Sequence, residues 1–169
     1  HVSLADKNGR NVLDDGSALG SPVLRHAVGG LQAVMGEAMA VFAPNVNSYR
    51  RFVPNAFTPM NRRWGYNNRS TGIRIPAGPA NARRIEHRVS GADANPYLAI
   101  AAVLAGIHHG LSKKVDPGAP FEGNAAGFTD PTVQFNLDGA LAAMEAGPIM
   151  AEYFGPAYVD VYCAAKRVE

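Results

Sequence analysis

The stretch ARRIEHRV, residues 82–89, sets three arginines, a glutamate and a histidine around one isoleucine, then gives way within a few residues to the apolar PYLAIAAVLAGI. Side chains alternate along a strand, so Arg84, Glu86 and Arg88 share one face while Ile85 and His87 point the other way. Arg74, between Ile73 and Ile75, likewise projects to one side. A cation–anion–cation row facing a polar pocket can cradle an anionic substrate. Arginine holds a carboxylate or phosphate in its fork, and glutamate ligates a hard divalent cation. A salt-bridge row on a half-exposed strand would carry the same pattern. The surrounding charge favours the pocket. Residues 38–85 contain no Asp or Glu, eight arginines and no lysine. A diffuse basic surface would mix both cations, whereas arginine alone suits planar, bidentate recognition.

The elements that must position these residues are readable. Residues 1–4 look like the end of a strand, followed by a turn-rich stretch over 6–21. Ser21 followed by Pro22 is an N-cap with proline at the first helical position, which predicts a helix over 22–42 with Leu24, Val28, Leu31, Val34 and Met35 on one face. Pro44 ends it. Residues 45–66, with three prolines at 44, 54 and 59 in and beside them, read as long functional loops. TGIRIP and RRIEHRV read as two short strands. Asp93 or Asn95 caps a helix that begins at Pro96, runs to about His108 and is apolar nearly all round, so it is expected to be buried. Residues 112–132 read as an exposed linker, and a last group of helices covers 138–168. His108 and His109 are expected near a helix end, Trp64 and Tyr66 either on an adenine or in packing, and His26, Arg83 and His87 in structural roles.

A chain of 169 residues, 47% hydrophobic, can bury one sizeable core. A net charge of +2 does not by itself argue for nucleic acid, and no nucleic-acid motif is present. The single Cys163 excludes an intrachain disulfide and fits a reducing, cytoplasmic setting. The apolar run over 97–107 is too short to span a bilayer, and no signal peptide is visible.

NSYRRFVP, NNRSTGIRIP, ARRIEHR and ANPYLAIAAVLAG resemble, in order and spacing, successive signatures of the glutamine synthetase catalytic domain. HVSL resembles the end of that family's His-x-His-x-Ser strand, and FGPAYVDVYCAAKRVE its C-terminal helices. The resemblance covers nearly the whole chain. It implies an α+β fold of the glutamine synthetase type, an antiparallel sheet with packed helices. It also implies that residues 1–169 are the C-terminal part of that domain, from a longer enzyme whose N-terminal domain and first catalytic strands lie upstream. The implied activity is ATP-dependent ligation of the glutamate γ-carboxyl to ammonia or an organic amine through γ-glutamyl phosphate. Mg2+ or Mn2+ would be required, and the active sites would lie between subunits of a ring-shaped homo-oligomer.

Carried over residue by residue, the resemblance makes Glu86 a metal ligand, Arg51 and Arg88 glutamate-binding arginines and Arg84 a nucleotide contact. Arg69 would stabilise the transferring phosphoryl group with Arg74 beside it, and His1 and Ser3 would lie near the nucleotide. The chain also departs from the pattern. Asn81 stands where a nucleotide-side lysine is expected. Equal spacing between Arg51 and Arg69 puts Phe57 where ammonia-using members carry a flap acid. An ammonium site needs negative charge to attract the cation and take its proton, whereas an apolar wall suits an alkylamine. An organic amine, a polyamine among them, is therefore the expected acceptor. The competing readings are a catalytically inactive scaffold, from which intact metal ligands upstream would distinguish it, and a nucleic-acid module, which would bind with steep salt dependence.

Overall fold

The computed structural model describes residues 1–168. Ser21 caps the first helix as its sequence demands. Its hydroxyl accepts from the Leu24 amide at 3.2 Å, and α1 runs over Pro22–Met35. The single helix expected over 22–42 is broken. Residues 36–38 form a turn, and a short α2 follows at Met39–Phe42. The break lets Glu37 swing its carboxylate onto the Ile149 and Met150 amides, both at 2.9 Å, where it caps a later helix. Burial raises the Glu37 pKa against the pull of those two amides. A 3-10 turn, Val46–Arg51, follows.

Three strands make one mixed sheet in the order β1 (Trp64–Tyr66), β2 (Ile73–Ile75), β3 (Glu86–His87). The two strands expected from TGIRIP and RRIEHRV are β2 and β3, and they pair antiparallel, Ile73 opposite His87 and Arg74 opposite Glu86. β1 adds in parallel to β2 from a region expected to be all loop. The strand expected at the start is one bridge: the Val2 and Ile85 backbones exchange hydrogen bonds at 2.8 and 2.9 Å.

Asn95 caps α3, accepting from the Tyr97 amide at 3.0 Å, and Pro96 is its first residue. The helix continues past His108 to Lys113 and closes with Lys114 at φ 52. His108 and His109 therefore lie inside it, and His108 Nδ1 is 2.8 Å from the Tyr153 hydroxyl. α1 and α3 pack backbone to backbone through Gly30, Gly106 and Gly110. A Cβ on Gly30 would strike the Gly106 carbonyl, and one on Gly110 the His26 carbonyl. Only the α1-facing side of α3 is buried, at Ala102, Ala105, Gly106, Ile107 and Gly110. The outer side leaves Tyr97, Ile100 and Leu104 exposed, contrary to the expectation of full burial. α4 (Leu137–Glu145), α5 (Pro148–Phe154) and α6 (Pro156–Val168) close the layer. The core runs from Leu24, Leu31 and Met35 on α1 through Ile73, Ile75 and Ile85 on the sheet to Leu141, Met144 and Cys163 on the last helices. Among the described residues no helix is long and apolar enough to cross a membrane.

Candidate active site

The isoleucines decide where the charges go. Ile73, Ile75 and Ile85 are 0–2% exposed. Burying each contributes on the order of 2 kcal/mol, and with period-two alternation this forces Arg74 and Glu86 onto the opposite face of the sheet. There Arg74 Nη1 donates to Glu86 Oε2 at 2.7 Å. Glu86 Oε1 has looser company, Arg88 Nε at 3.7 Å and His1 Nε2 at 4.0 Å. Among the described residues Glu86 is thus the single anion of an arginine cluster, and its Oε1 has no close hydrogen bond.

Arg88 ties three segments together. Its Nη1 donates to the carbonyls of Arg69 and Thr71, the latter at 3.2 Å, and its Nη2 to the Phe57 carbonyl at 3.3 Å. Burial lowers its pKa, opposed by Glu86 and reinforced by the positive Arg74 and Arg69. Thr71, fully buried, locks the turn between β1 and β2 with its one hydroxyl hydrogen set between the Asn68 carbonyl at 3.0 Å and the Ile73 carbonyl at 2.9 Å. Arg69 itself is exposed and lines an open cleft of about 610 Å3 with Tyr66, Asn67, Asn68, Phe121 and Glu122. Its guanidinium has no ion-pair partner among the described residues.

Arg51 lies apart from this cluster, beyond the end of β3. Its Nη2 donates to the Val89 carbonyl, its guanidinium lies 4.3 Å from the centre of the Phe52 ring, and burial lowers its pKa while nearby Asp93 raises it. Asp93 is fixed by the Ser48 hydroxyl and by Asn45 Nδ2 at 3.3 Å. The structure therefore brings Arg69, Arg74, Glu86 and Arg88 together, with His1 at the margin. It does not bring Arg84 or Ser3 into the cluster. Arg84 Nη1 donates to the Ala82 carbonyl at 3.2 Å, and Ser3 is exposed. Arg83 is structural, donating to the Ser17 and Ala18 carbonyls at 2.9 and 3.1 Å. Trp64 and Tyr66 serve packing: Trp64 is 2% exposed with its Nε1 on the Gly118 carbonyl at 3.2 Å, and Tyr66 hydrogen-bonds the Leu19 carbonyl.

Sequence reasoning missed the asparagines. Asn67 Oδ1 accepts from Arg74 Nη2 at 3.2 Å, which orients Arg74 from the side opposite Glu86. Asn61, 1% exposed, donates to the Ser70 carbonyl at 3.1 Å and accepts from the Gly72 amide at 3.2 Å. The available signal was that NNRS carries two amides beside its arginine.

A divalent cation needs several oxygen ligands. Among the described residues no three metal-ligating side chains converge. The Glu86 oxygen left without a close donor fits one ligand of such a site, with the arginines around it placed to face anionic oxygens.

The glutamine synthetase catalytic-domain model matches residues 1–169. The chain is 40% identical to gamma-glutamylputrescine synthetase PuuA of Escherichia coli over 169 residues, which is 100% of this chain and 36% of that protein. It is 36% identical to gamma-glutamylethanolamide synthetase GlnA4 of Streptomyces coelicolor over the same shares, and 37% identical to the glutamine synthetase of Pyrococcus woesei over 94% of this chain and 37% of that one. The solved structure of apo GmaS without ligand superposes with a TM-score of 0.84 at 31% identity, covering 99% of this chain and 39% of that one. The chain thus spans little more than a third of the length of these relatives.

Proposed function

The chain belongs to the glutamine synthetase catalytic-domain family, and from that premise we propose that it is the C-terminal part of a longer ATP-dependent ligase joining the γ-carboxyl of glutamate to an organic amine. The observation that carries the reading is the Glu86 cluster: one carboxylate with Arg74 and Arg88 beside it, and Arg69 on the adjoining turn, whose backbone carbonyl Arg88 holds. Holding such charges half-buried is costly, and an inert scaffold has no use for them.

In this reading each side chain has one task. Arg69, free in its cleft, meets the transferring phosphoryl oxygens, where a guanidinium is worth most as charge develops. Arg74, held between Glu86 and Asn67, presents a fixed positive edge beside it. Arg51 and Arg88 face the glutamate carboxylates. His1, Ser3 and Arg84 lie toward the nucleotide. Glu86 contributes an oxygen to Mg2+ or Mn2+, which when bound withdraws charge from the phosphoryl oxygens. The proposal extends to a ring-shaped homo-oligomer with sites between subunits.

The amine preference rests on residues 51–69, which contain no acid, and on Phe57, 97% exposed at the loop tip. Two of the similar proteins are named for γ-glutamyl amides of putrescine and ethanolamine. The test is a competition of ammonium against mono- and diamines in the full-length ligase, read as kcat/KM of phosphate release with glutamate and ATP. The expected result is a clear preference for at least one amine. Preference for ammonium over every amine would return the protein to glutamine synthesis.

A further inference from the structure

We propose that Asn68 is a positioning residue for this reaction, fixing the Arg69 backbone against the segment 121–125. The inference rests on the reading that Arg69 engages the phosphoryl group. Arg69 is exposed and its side chain has no hydrogen-bond or ion-pair partner among the described residues, so its direction is set by the backbone that carries it. That backbone is gripped on both sides by one amide. Asn68 Nδ2 donates to the Phe121 carbonyl at 3.1 Å and the Gly123 carbonyl at 3.0 Å. Its Oδ1 accepts from the Ser70 amide at 3.0 Å and the Ser70 hydroxyl at 2.7 Å. Ser70 Oγ in turn accepts from the Ala125 amide at 2.8 Å.

The residues before and after Arg69 are therefore both bonded to a stretch more than fifty positions away in the chain, which forms the opposite wall of the cleft. The chemistry selects asparagine. Two donors must diverge to two carbonyls while one oxygen accepts two hydrogens. Aspartate keeps the shape but turns an oxygen toward both carbonyls, and alanine leaves all four bonds unmade. Phosphoryl transfer is mostly positioning and electrostatics, and a misplacement of about 1 Å can cost about 100-fold in rate.

The experiment compares Asn68→Asp, Asn68→Ala and Ser70→Ala in the full-length ligase, each alone and combined with Arg69→Ala, by kcat, KM for glutamate and ATP, and Tm. Asn68→Asp is expected to lower kcat by about 10- to 100-fold with both KM values within about twofold. It is expected to cost nothing further once Arg69 is alanine, because the two act as a unit. Ser70→Ala, which removes bonds without inserting a charge, should show a smaller loss with the same non-additivity, and it carries the test if the Asn68 variants do not fold. Full kcat in the variants that fold, or an undiminished loss in the Arg69→Ala background, overturns the proposal. Full kcat in Arg69→Ala itself overturns the underlying role of Arg69, and the positioning claim with it.

Discussion

Arg74 and Glu86 sit opposite one another across the β2–β3 pair and close a 2.7 Å hydrogen bond with side chains only 14% and 19% exposed. Removing the carboxylate leaves two arginines half-buried without an anion, and breaking such a pair costs about 3 kcal/mol when fully buried. Glu86→Gln, which keeps the volume, should lower Tm by several degrees and nearly abolish turnover in the full-length ligase. The concentration of divalent cation needed for half-maximal rate should rise. Wild-type turnover with an unchanged metal titration would make the strand purely structural.

Arg69 and Arg51 carry different loads. The Arg69 side chain makes no hydrogen bond or ion pair among the described residues, so Arg69→Ala should lower kcat at least tenfold while Tm stays put. Arg51 is packed on Phe52 and bonded to the Val89 carbonyl. Arg51→Ala should therefore raise the glutamate KM and also lower Tm, by roughly 2–4 °C for each kcal/mol lost. Identical kinetic profiles for the two variants, or effects confined to ATP, would remove the distinction.

His87 gives the fold a pH dependence. Its ring lies 4.3 Å from that of Phe42, and neither ring nitrogen has a hydrogen-bond partner among the described residues. Burial, with the positive Arg51 nearby, pushes its pKa down to about 4. The unfolded chain titrates near the ordinary value of about 6.5, so between these values it binds a proton the folded chain refuses. Stability should be full above pH 6.5 and fall as pH drops toward 4, by on the order of 3 kcal/mol in all. His87→Leu should flatten that part of the curve. Urea midpoints of both proteins from pH 7.5 to 4.5 measure the difference, and parallel curves would exclude His87 as its source.

What the sequence disclosed was local. Ser21 with Pro22 and Asn95 with Pro96 mark helix starts through bonds made within three residues. The alternation at Ile73, Arg74 and Ile75 needs nothing beyond the strand itself. The features that escaped depend on distant partners. β1 is three residues with a glycine in the middle, held by the Phe121 amide on the Trp64 carbonyl at 2.7 Å. The break after Met35 follows from Glu37 reaching a helix more than a hundred residues on. Asn67 and Asn68 look like loop filler until Arg74 and the carbonyls of Phe121 and Gly123 come near. The arginine cluster was visible because its cause, the buried isoleucines, lies beside it in the chain. Arg84 shows the limit of alternation: it lies outside the short β3, where period two no longer fixes its direction.

The outer face of α3 yields the last prediction. Tyr97, Ile100 and Leu104 are 82%, 59% and 49% exposed. Beside them a groove of about 620 Å3 is lined by Leu98, Ala101, Tyr153, Phe154 and Tyr158. Exposed apolar side chains clustered beside such a groove favour association in water. The 169-residue chain by itself should therefore show a mass that rises with concentration in sedimentation equilibrium. Ile100→Lys with Leu104→Lys, at positions 59% and 49% exposed, should restore a monomer with Tm little changed. In the full-length ligase, of which this chain is proposed to be about a third, the same pair should lower Tm, because the rest of the protein is expected to cover that face. A wild-type chain that stays monomeric, or a full-length ligase indifferent to both lysines, would show that the face is meant for water.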